Sequence, residues 1–395
     1  MKYVILIIDG AAGHPVPEKQ NKTSLELART PNLDALTRKG KLGLTCNVPE
    51  GMEPSSAIAC MSILGYNPRT YYGGRSAIEA VSMGIEISKG ESVFRCNLVA
   101  VRDGKMWDYS AGHITTPEAK ELILAVDKNL GNPDTRFYPG VSYRHILKLN
   151  GHLESVAAVC TPPHDIPGKE IAGHLPKGKG SEILLDLMRR SEAVLKDHPV
   201  NRARIARGEV PATTIWLFWP SGQVPSLPPF QKSFGIKAGM ISGVDLLRGL
   251  AQMAQMETIN VSGVTDGLDN DYLAQGEGAL KALEDHDLVV VHVEAPDEAG
   301  HSGSLEHKIE AIEKTDQEIV SRLREYQKDK LRLLILPDHP TPLDIQTHTP
   351  ERVPFLLAGE GFSGNGAKRL TEAEAGATNF SIENGYDIIK KLIKG

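Results

Sequence analysis

Leu288-Val289-Val290-Val291-His292-Val293 runs directly into Glu294-Ala295-Pro296-Asp297-Glu298-Ala299-Gly300-His301. The first six residues are apolar almost throughout, as in a parallel strand covered by helices on both faces. Polar and acidic residues follow at once. Two other runs have the same form: residues 3–8 end at Asp9-Gly10, and Leu331–Leu336 is followed by Pro337-Asp338-His339. Sites in open α/β sheets form beyond the carboxyl ends of strands. Three strands that each end in potential ligands therefore predict an α/β sheet with a site along one edge.

Helical segments lie between these runs. Residues 31–39 open with Thr30-Pro31, an N-cap and first-turn pair. Residues 244–256 and 305–326 are longer. The latter carries Leu305, Ile309, Ile312, Ile319 and Leu323 at helical spacing, with charges between them. The middle of the chain, from about Arg95 to about Arg207, is rich in turn signals and holds a charged helix candidate at 182–196. It reads as an insertion. Residues 220–229, with Pro225, Pro228 and Pro229, read as a loop or linker after the chain returns to the core.

The 395 residues carry a formal charge of -6, so there is no basic field of the kind that holds nucleic acid. No apolar run reaches the roughly 18 residues of a membrane span. Cys46, Cys60, Cys96 and Cys160 are scattered, without a CxxC pair, and read as reduced thiols of a cytoplasmic protein.

Asp297 and His301 stand four apart, so one helical turn would place both on the same side, although Gly300 weakens the helix. Asp338-His339 follows an apolar strand, Thr347-His348-Thr349 leads into Val353-Pro354, and Asp9 closes the first strand. Taken singly, a strand-end aspartate reads as a turn former or cap, and His348 as a surface histidine. Taken together, three carboxylates and three imidazoles form a mixed donor set that suits Zn or Mn, and also Co or Mg. Two such ions can clamp the attacking and leaving oxygens of a phosphoryl group.

Asp9-Gly10, Pro296-Asp297-Glu298-Ala299-Gly300-His301-Ser302-Gly303, Asp338-His339 and His348-Thr349 resemble the metal-binding motifs of the cofactor-independent phosphoglycerate mutases, which belong to the alkaline phosphatase superfamily. In length and motif order the chain looks most like the shorter archaeal-type branch. The resemblance implies one divalent ion on Asp297, His301 and His348. It implies a second on Asp9, Asp338, His339 and a nucleophilic serine.

Gly51-Met52-Glu53-Pro54-Ser55-Ser56-Ala57 precedes a helix candidate. Locally, Pro-Ser-Ser reads as a helix start with an N-cap serine. A serine there also meets the positive end of the helix dipole, and a neighbouring metal would activate its hydroxyl. The family resemblance favours Ser56 as the nucleophile, with Ser55 as the second choice. Family members have an acidic residue just after that serine and a histidine four after it, where this chain has Ala57 and Cys60.

A phosphorylated acid also needs cationic partners. By resemblance the candidates are Arg75, Arg95, Arg144 and His145, with Lys232 at the place of a catalytic-site lysine; His164 and Asp165 are weaker candidates. An arginine-bearing stretch of the family is replaced here by Asp108-Tyr109-Ser110-Ala111-Gly112-His113-Ile114. Those replacements keep a second reading open, that of a related bacterial branch proposed to phosphorylate homoserine. No P-loop run is present for such a nucleotide reaction.

The expected fold is an alkaline phosphatase-like three-layer α/β core, about residues 1–95 and 210–395, with a smaller inserted α/β domain over 96–209 that swings over the site and excludes water. The expected chemistry is interconversion of 3-phosphoglycerate and 2-phosphoglycerate through a phosphoserine, with two divalent ions and a small phosphorylated metabolite as the partner.

Overall fold

In a computed structural model describing residues 1–223 and 226–395, the chain forms two compact units. One is Met1–Tyr72 with Ser226–Gly395, the other Gly73–Pro225. Val224 and Pro225, part of the stretch read as a linker, lie outside the described residues.

The first unit holds an eight-stranded sheet. Its order is Ser381–Ile382, Lys41–Thr45, Val353–Gly359, Leu331–Leu336, Lys2–Ile8, Leu288–Val293, Ala238–Ile241 and Glu257–Thr258. Lys2–Ile8 is central and pairs in parallel with both Leu288–Val293 and Leu331–Leu336. Ile8 is in register with Val293 and Ile7 with Leu336. The three strands predicted to end in ligands thus stop together, leaving Asp9, Glu294 and Asp338 along one edge. Val353–Gly359 runs antiparallel beside Leu331–Leu336.

Val4, Leu6 and Ile8 pack with Ala279, Ala311, Ile312, Ile319 and Leu323 from helices on one face. Ile5 and Ile7 point the other way and are equally buried. On that side Asp245–Met253 and Ile388–Lys394 pack on strands of the sheet, and Ser56–Ile63 packs on Asp245–Met253. Three layers result. Each fully buried Ile or Leu of the central strand contributes roughly 1.5–3 kcal/mol, so both faces of the strand anchor the edge that carries the site.

The helix predicted over 305–326 is continuous but not uniform: Leu305–Lys314 is α, Thr315–Val320 is a π turn and Ser321–Glu325 is α again. The π turn carries Asp316, whose carboxylate accepts the backbone N–H groups of Leu33 at 2.7 Å and Asn32 at 3.2 Å. Thr30 and Pro31 stand at the expected cap and first-turn positions. Thr30 occupies the N-cap position of Pro31–Thr37 but makes no side-chain cap bond, and Asp316, remote in sequence, satisfies those donors instead.

The second unit is built on a five-stranded antiparallel sheet around Glu91–Arg102, which pairs with Lys105–Asp108, Arg144–Asn150 and Thr214–Ser221. Helices Thr116–Leu130 and Ser181–Lys196 cover a core that includes Phe94, Leu98, Trp216 and Phe218. Boundaries at 96 and 209 would cut through Glu91–Arg102 and leave out its partner Thr214–Ser221. Because a paired strand cannot be divided between two cores, this unit begins earlier and ends later than those numbers.

Candidate metal centre and active site

The sheet edge gathers Asp9, Asp297, Asp338, His301, His339, His348 and Ser56. Two donor sets match the residues read from the sequence: Asp297, His301 and His348, and Asp9, Asp338 and His339. Within each set, one ligand atom per residue lies within 4.8 Å of the others.

In the first set Asp297 Oδ2 is 3.1 Å from His301 Nε2 and 3.5 Å from His348 Nε2. The two imidazoles approach each other at 2.9 Å. Ala295–His301 is a short helix, so the four-residue spacing does place both side chains on one side. Gly300 is accommodated because a Cβ there would meet Thr341. Gly10 is required for two reasons: its φ is +60°, and a Cβ would run into Asp297 and Thr341. The Thr341 hydroxyl donates to Asp297 Oδ1.

In the second set Asp338 Oδ1 accepts from Gly10 N–H at 3.1 Å and from His339 N–H at 2.8 Å, while its Oδ2 lies 3.2 Å from His339 Nε2. Asp9 is fully buried, and its Oδ1 has no hydrogen-bond partner among the described residues. Ser56 Oγ is 3.1 Å from His339 Nε2, at the first turn of Ser56–Ile63. Ser55 stands at the N-cap position but makes no cap bond, and its Oγ is buried without a partner among the described residues. Ser56, not Ser55, is therefore the serine bonded to this cluster. One turn on, Cys60 Sγ is 3.7 Å from Asp338 Oδ2, so the cysteine that departs from the family pattern faces the same carboxylate.

The electrostatics suit cations. Burial, then the nearby Asp338 and Asp297 carboxylates, push Asp9 well above the usual carboxylate range. Burial opposes ionisation of Asp297 too, but hydrogen bonds from His301 and His348 outweigh it and hold that carboxyl well below its ordinary value. Burial also works against protonation of His301, yet Asp297 raises it to about 9. Burial pushes His339 down to about 4. Orphaned carboxylate oxygens beside imidazole nitrogens are the donors that divalent Zn, Mn or Co accept, so these residues fit such an ion.

The cationic candidates lie on other elements of the chain. Lys232 is exposed on the short helix Phe230–Phe234. Arg75, Arg95, Arg144 and His145 all belong to the second unit. There Glu79 engages both Arg95 and Arg75, the latter at 3.1 Å. Arg95 also donates to Asn97 Oδ1 at 3.1 Å, and Arg75 lies over the Trp219 ring. His145 is buried, with Nδ1 accepting from Gly140 N–H, and burial then Arg95 lower it to about 3. It is therefore a neutral donor at neutral pH, not a cation. Ser110 and His113 sit in a turn held by Asp108, with Ala111, Gly112 and His113 all at positive φ. His164 packs edge-on against Tyr109, Phe218 and Trp219, and Asp165 is exposed.

Sequence reading noted Glu294 only as part of a strand end and assigned no role to His292, Thr341 or Lys308. His292 is the single polar residue in its strand, and Glu294, just beyond the strand at the N-cap of Ala295–His301, lies 3.5 Å from its Nε2. Thr341 and Lys308 carried no such signal.

A profile described as 2,3-bisphosphoglycerate-independent phosphoglycerate mutase matches residues 37–201. A protein of that description from Methanothrix thermoacetophila is 46% identical, with 100% of each chain covered. One from Geobacter sulfurreducens, described as a probable enzyme of the same kind, is 44% identical over 100% of each chain. Among solved structures, a protein from Pyrococcus horikoshii superposes with a TM-score of 0.82 at 26% identity, covering 99% of this chain and 96% of its own. A cofactor-independent phosphoglycerate mutase from Thermoplasma acidophilum shares the fold, with a TM-score of 0.67 at 24% identity over 100% of this chain and 99% of its own. At such identity over its full length, the chain belongs to the family of 2,3-bisphosphoglycerate-independent phosphoglycerate mutases.

Proposed function

We propose that this chain interconverts 3-phosphoglycerate and 2-phosphoglycerate without bisphosphoglycerate, by way of a phosphoserine at Ser56. Ser56 Oγ attacks phosphorus in line, the bond from phosphorus to the glycerate oxygen breaks, and the serine proton ends on that oxygen. Glycerate stays bound and presents its other hydroxyl, which attacks the phosphoserine and returns the proton to Ser56. Asp297, His301 and His348 would hold one divalent ion, and Asp9, Asp338, His339 and Ser56 a second. Bound there, the ions supply charge neutralisation for the phosphoryl oxygens and a lowered pKa for the serine hydroxyl. Lys232, Arg75, Arg95, Arg144 and His145 are proposed to recognise the substrate. Arg95 does so with one face of its charge already balanced by Glu79.

What supports this reading is Ser56 Oγ standing 3.1 Å from His339 Nε2 inside the carboxylate–imidazole cluster, in a member of the mutase family. The homoserine kinase reading finds no support among the relatives above. A paired assay on metal-reconstituted protein separates the two, one arm offering 3-phosphoglycerate and the other homoserine with ATP. Mutase turnover that falls by about 10³-fold or more in Ser56→Ala is expected. Turnover in the homoserine arm alone would overturn the substrate assignment.

A further inference from the structure

Glu79 belongs to no motif read from the sequence, yet it lies between two of the arginines proposed above to recognise the substrate. Its side chain is buried, and its two oxygens are divided: Oε1 accepts from Arg75 Nε at 3.1 Å, and Oε2 accepts from Arg95 Nη1. Arg95 Nε donates in turn to Asn97 Oδ1 at 3.1 Å. We propose that Glu79 is a positioning residue, which with Trp219 fixes Arg75 and Arg95 as a rigid pair for one oxyanion of the substrate. The inference rests on the recognition role proposed for those two arginines.

Three features of the second unit carry the proposal. First, strand alternation puts Val93, Arg95 and Asn97 on one face of Glu91–Arg102, and Val93 packs there with Ala77 and Ala80 of the helix Arg75–Ser82. On that helix Arg75 and Glu79 are four apart and share a side. Strand and helix thus each bring one guanidinium to a common carboxylate. Second, Thr214–Ser221 is irregular opposite Arg95. Val93 is in register with Ser221 but Arg95 with Phe218, so the strand holds one extra residue, and Trp219 there has a φ of +49°. Bulges re-aim side chains, and strained residues of this kind persist where their surroundings over-determine them. Here the Trp219 ring lies beneath Arg75, whose guanidinium carbon is 4.3 Å from the ring centre, with that of Arg95 at 5.9 Å. A ring face attracts a guanidinium through its quadrupole without taking up N–H donors. Third, stability alone gives little reason for the arrangement. A buried ion pair often stabilises no better than apolar side chains of the same volume, whereas a guanidinium already held in place loses less freedom on meeting an anion. One carboxylate between two guanidiniums also leaves the group a single net positive charge, matched to one anionic group.

Steady-state kinetics of the Mn-loaded protein on 3-phosphoglycerate test it. Glu79→Gln keeps the size of the side chain and removes its charge. It should raise KM by about 10-fold or more with kcat changed less than about threefold, at unaltered Mn content. Glu79→Asp, which keeps the charge, should recover part of the loss. A KM that stays the same or drops in Glu79→Gln would overturn the inference, because the charge of the arginines and not their placement would then govern recognition. Arg95→Gln separates the two levels. A raised KM there beside an unmoved Glu79→Gln would overturn the positioning role alone. An unmoved KM in Arg95→Gln, or no mutase turnover by the unaltered protein, would overturn the substrate reading as well. Should Glu79→Gln fail to fold, crystals of the unaltered protein soaked with 3-phosphoglycerate decide. An oxyanion on Arg75 and Arg95, with Glu79 still bound to both, is the expected result. An oxyanion that displaces Glu79 from either arginine, or that binds neither, would contradict it.

Discussion

Ser56 and Cys60 are one helical turn apart and meet neighbouring members of the same cluster, His339 and Asp338. The local reading of Pro-Ser-Ser as a capped helix start was right about the helix and wrong about the bond: the N-cap serine makes none, and the next serine turns inward. The imidazoles make a pH prediction for the metal-free protein. His301, raised to about 9, keeps its proton in the folded chain when the unfolded chain has lost it. The resulting stability is complete below the ordinary histidine pKa of about 6.5 and is lost as pH rises toward 9. His339, lowered to about 4, acts in the opposite sense and destabilises the fold as pH falls from about 6.5 toward 4. The melting temperature of metal-free protein should therefore peak near pH 6.5. His301→Gln should flatten the alkaline side, and an unchanged alkaline slope would contradict the pairing with Asp297.

At the scale of elements, two parts of the helix over 305–325 act at a distance. Asp316 in the π turn supplies the N-terminal acceptors of Pro31–Thr37, and Asp316→Ala should cost about 1–2 kcal/mol in urea unfolding. Lys308 is buried and donates to the carbonyls of Ala12 at 3.1 Å and Thr341 at 2.7 Å, tying together the loops after the first strand and after Leu331–Leu336. Lys308→Met would strand those carbonyls and should cost about 1–3 kcal/mol; a change below a few tenths would show that water replaces the amine. Apolar runs and strand-end aspartates identified the central strands because hydrophobic burial and strand ends are local signals. Asp316, Thr341 and Lys308 act on partners hundreds of residues away in some cases, and nothing beside them in the chain marks the contact. His292 was readable in principle, as a polar residue in an otherwise apolar strand.

For the whole molecule, motif order was enough to identify the family, whereas the division into units was only approximate in the sequence. Turn signals mark where composition changes, but strand pairing decides where a core begins, and Glu91–Arg102 pairs across both expected boundaries. The arginine candidates show a similar limit: a sequence shows a cation but not the Glu79 that engages it. Metal binding should couple to the stability of the first unit, since Asp9, Glu294, Asp297 and Asp338 converge there. Chelation should abolish turnover and lower the melting temperature, with an ion at 100 times its Kd contributing about 2.7 kcal/mol; a melting temperature indifferent to chelator would contradict this. The central claim is that the phosphoryl group passes through Ser56. Acid-quenching the metal-loaded enzyme during turnover with phosphorus-labelled 3-phosphoglycerate, followed by peptide mapping, tests it most directly. Label on Ser56 that is absent from an inactive Ser56→Ala is the predicted result. Label on Ser55 or another residue, or turnover in Ser56→Ala, would contradict it.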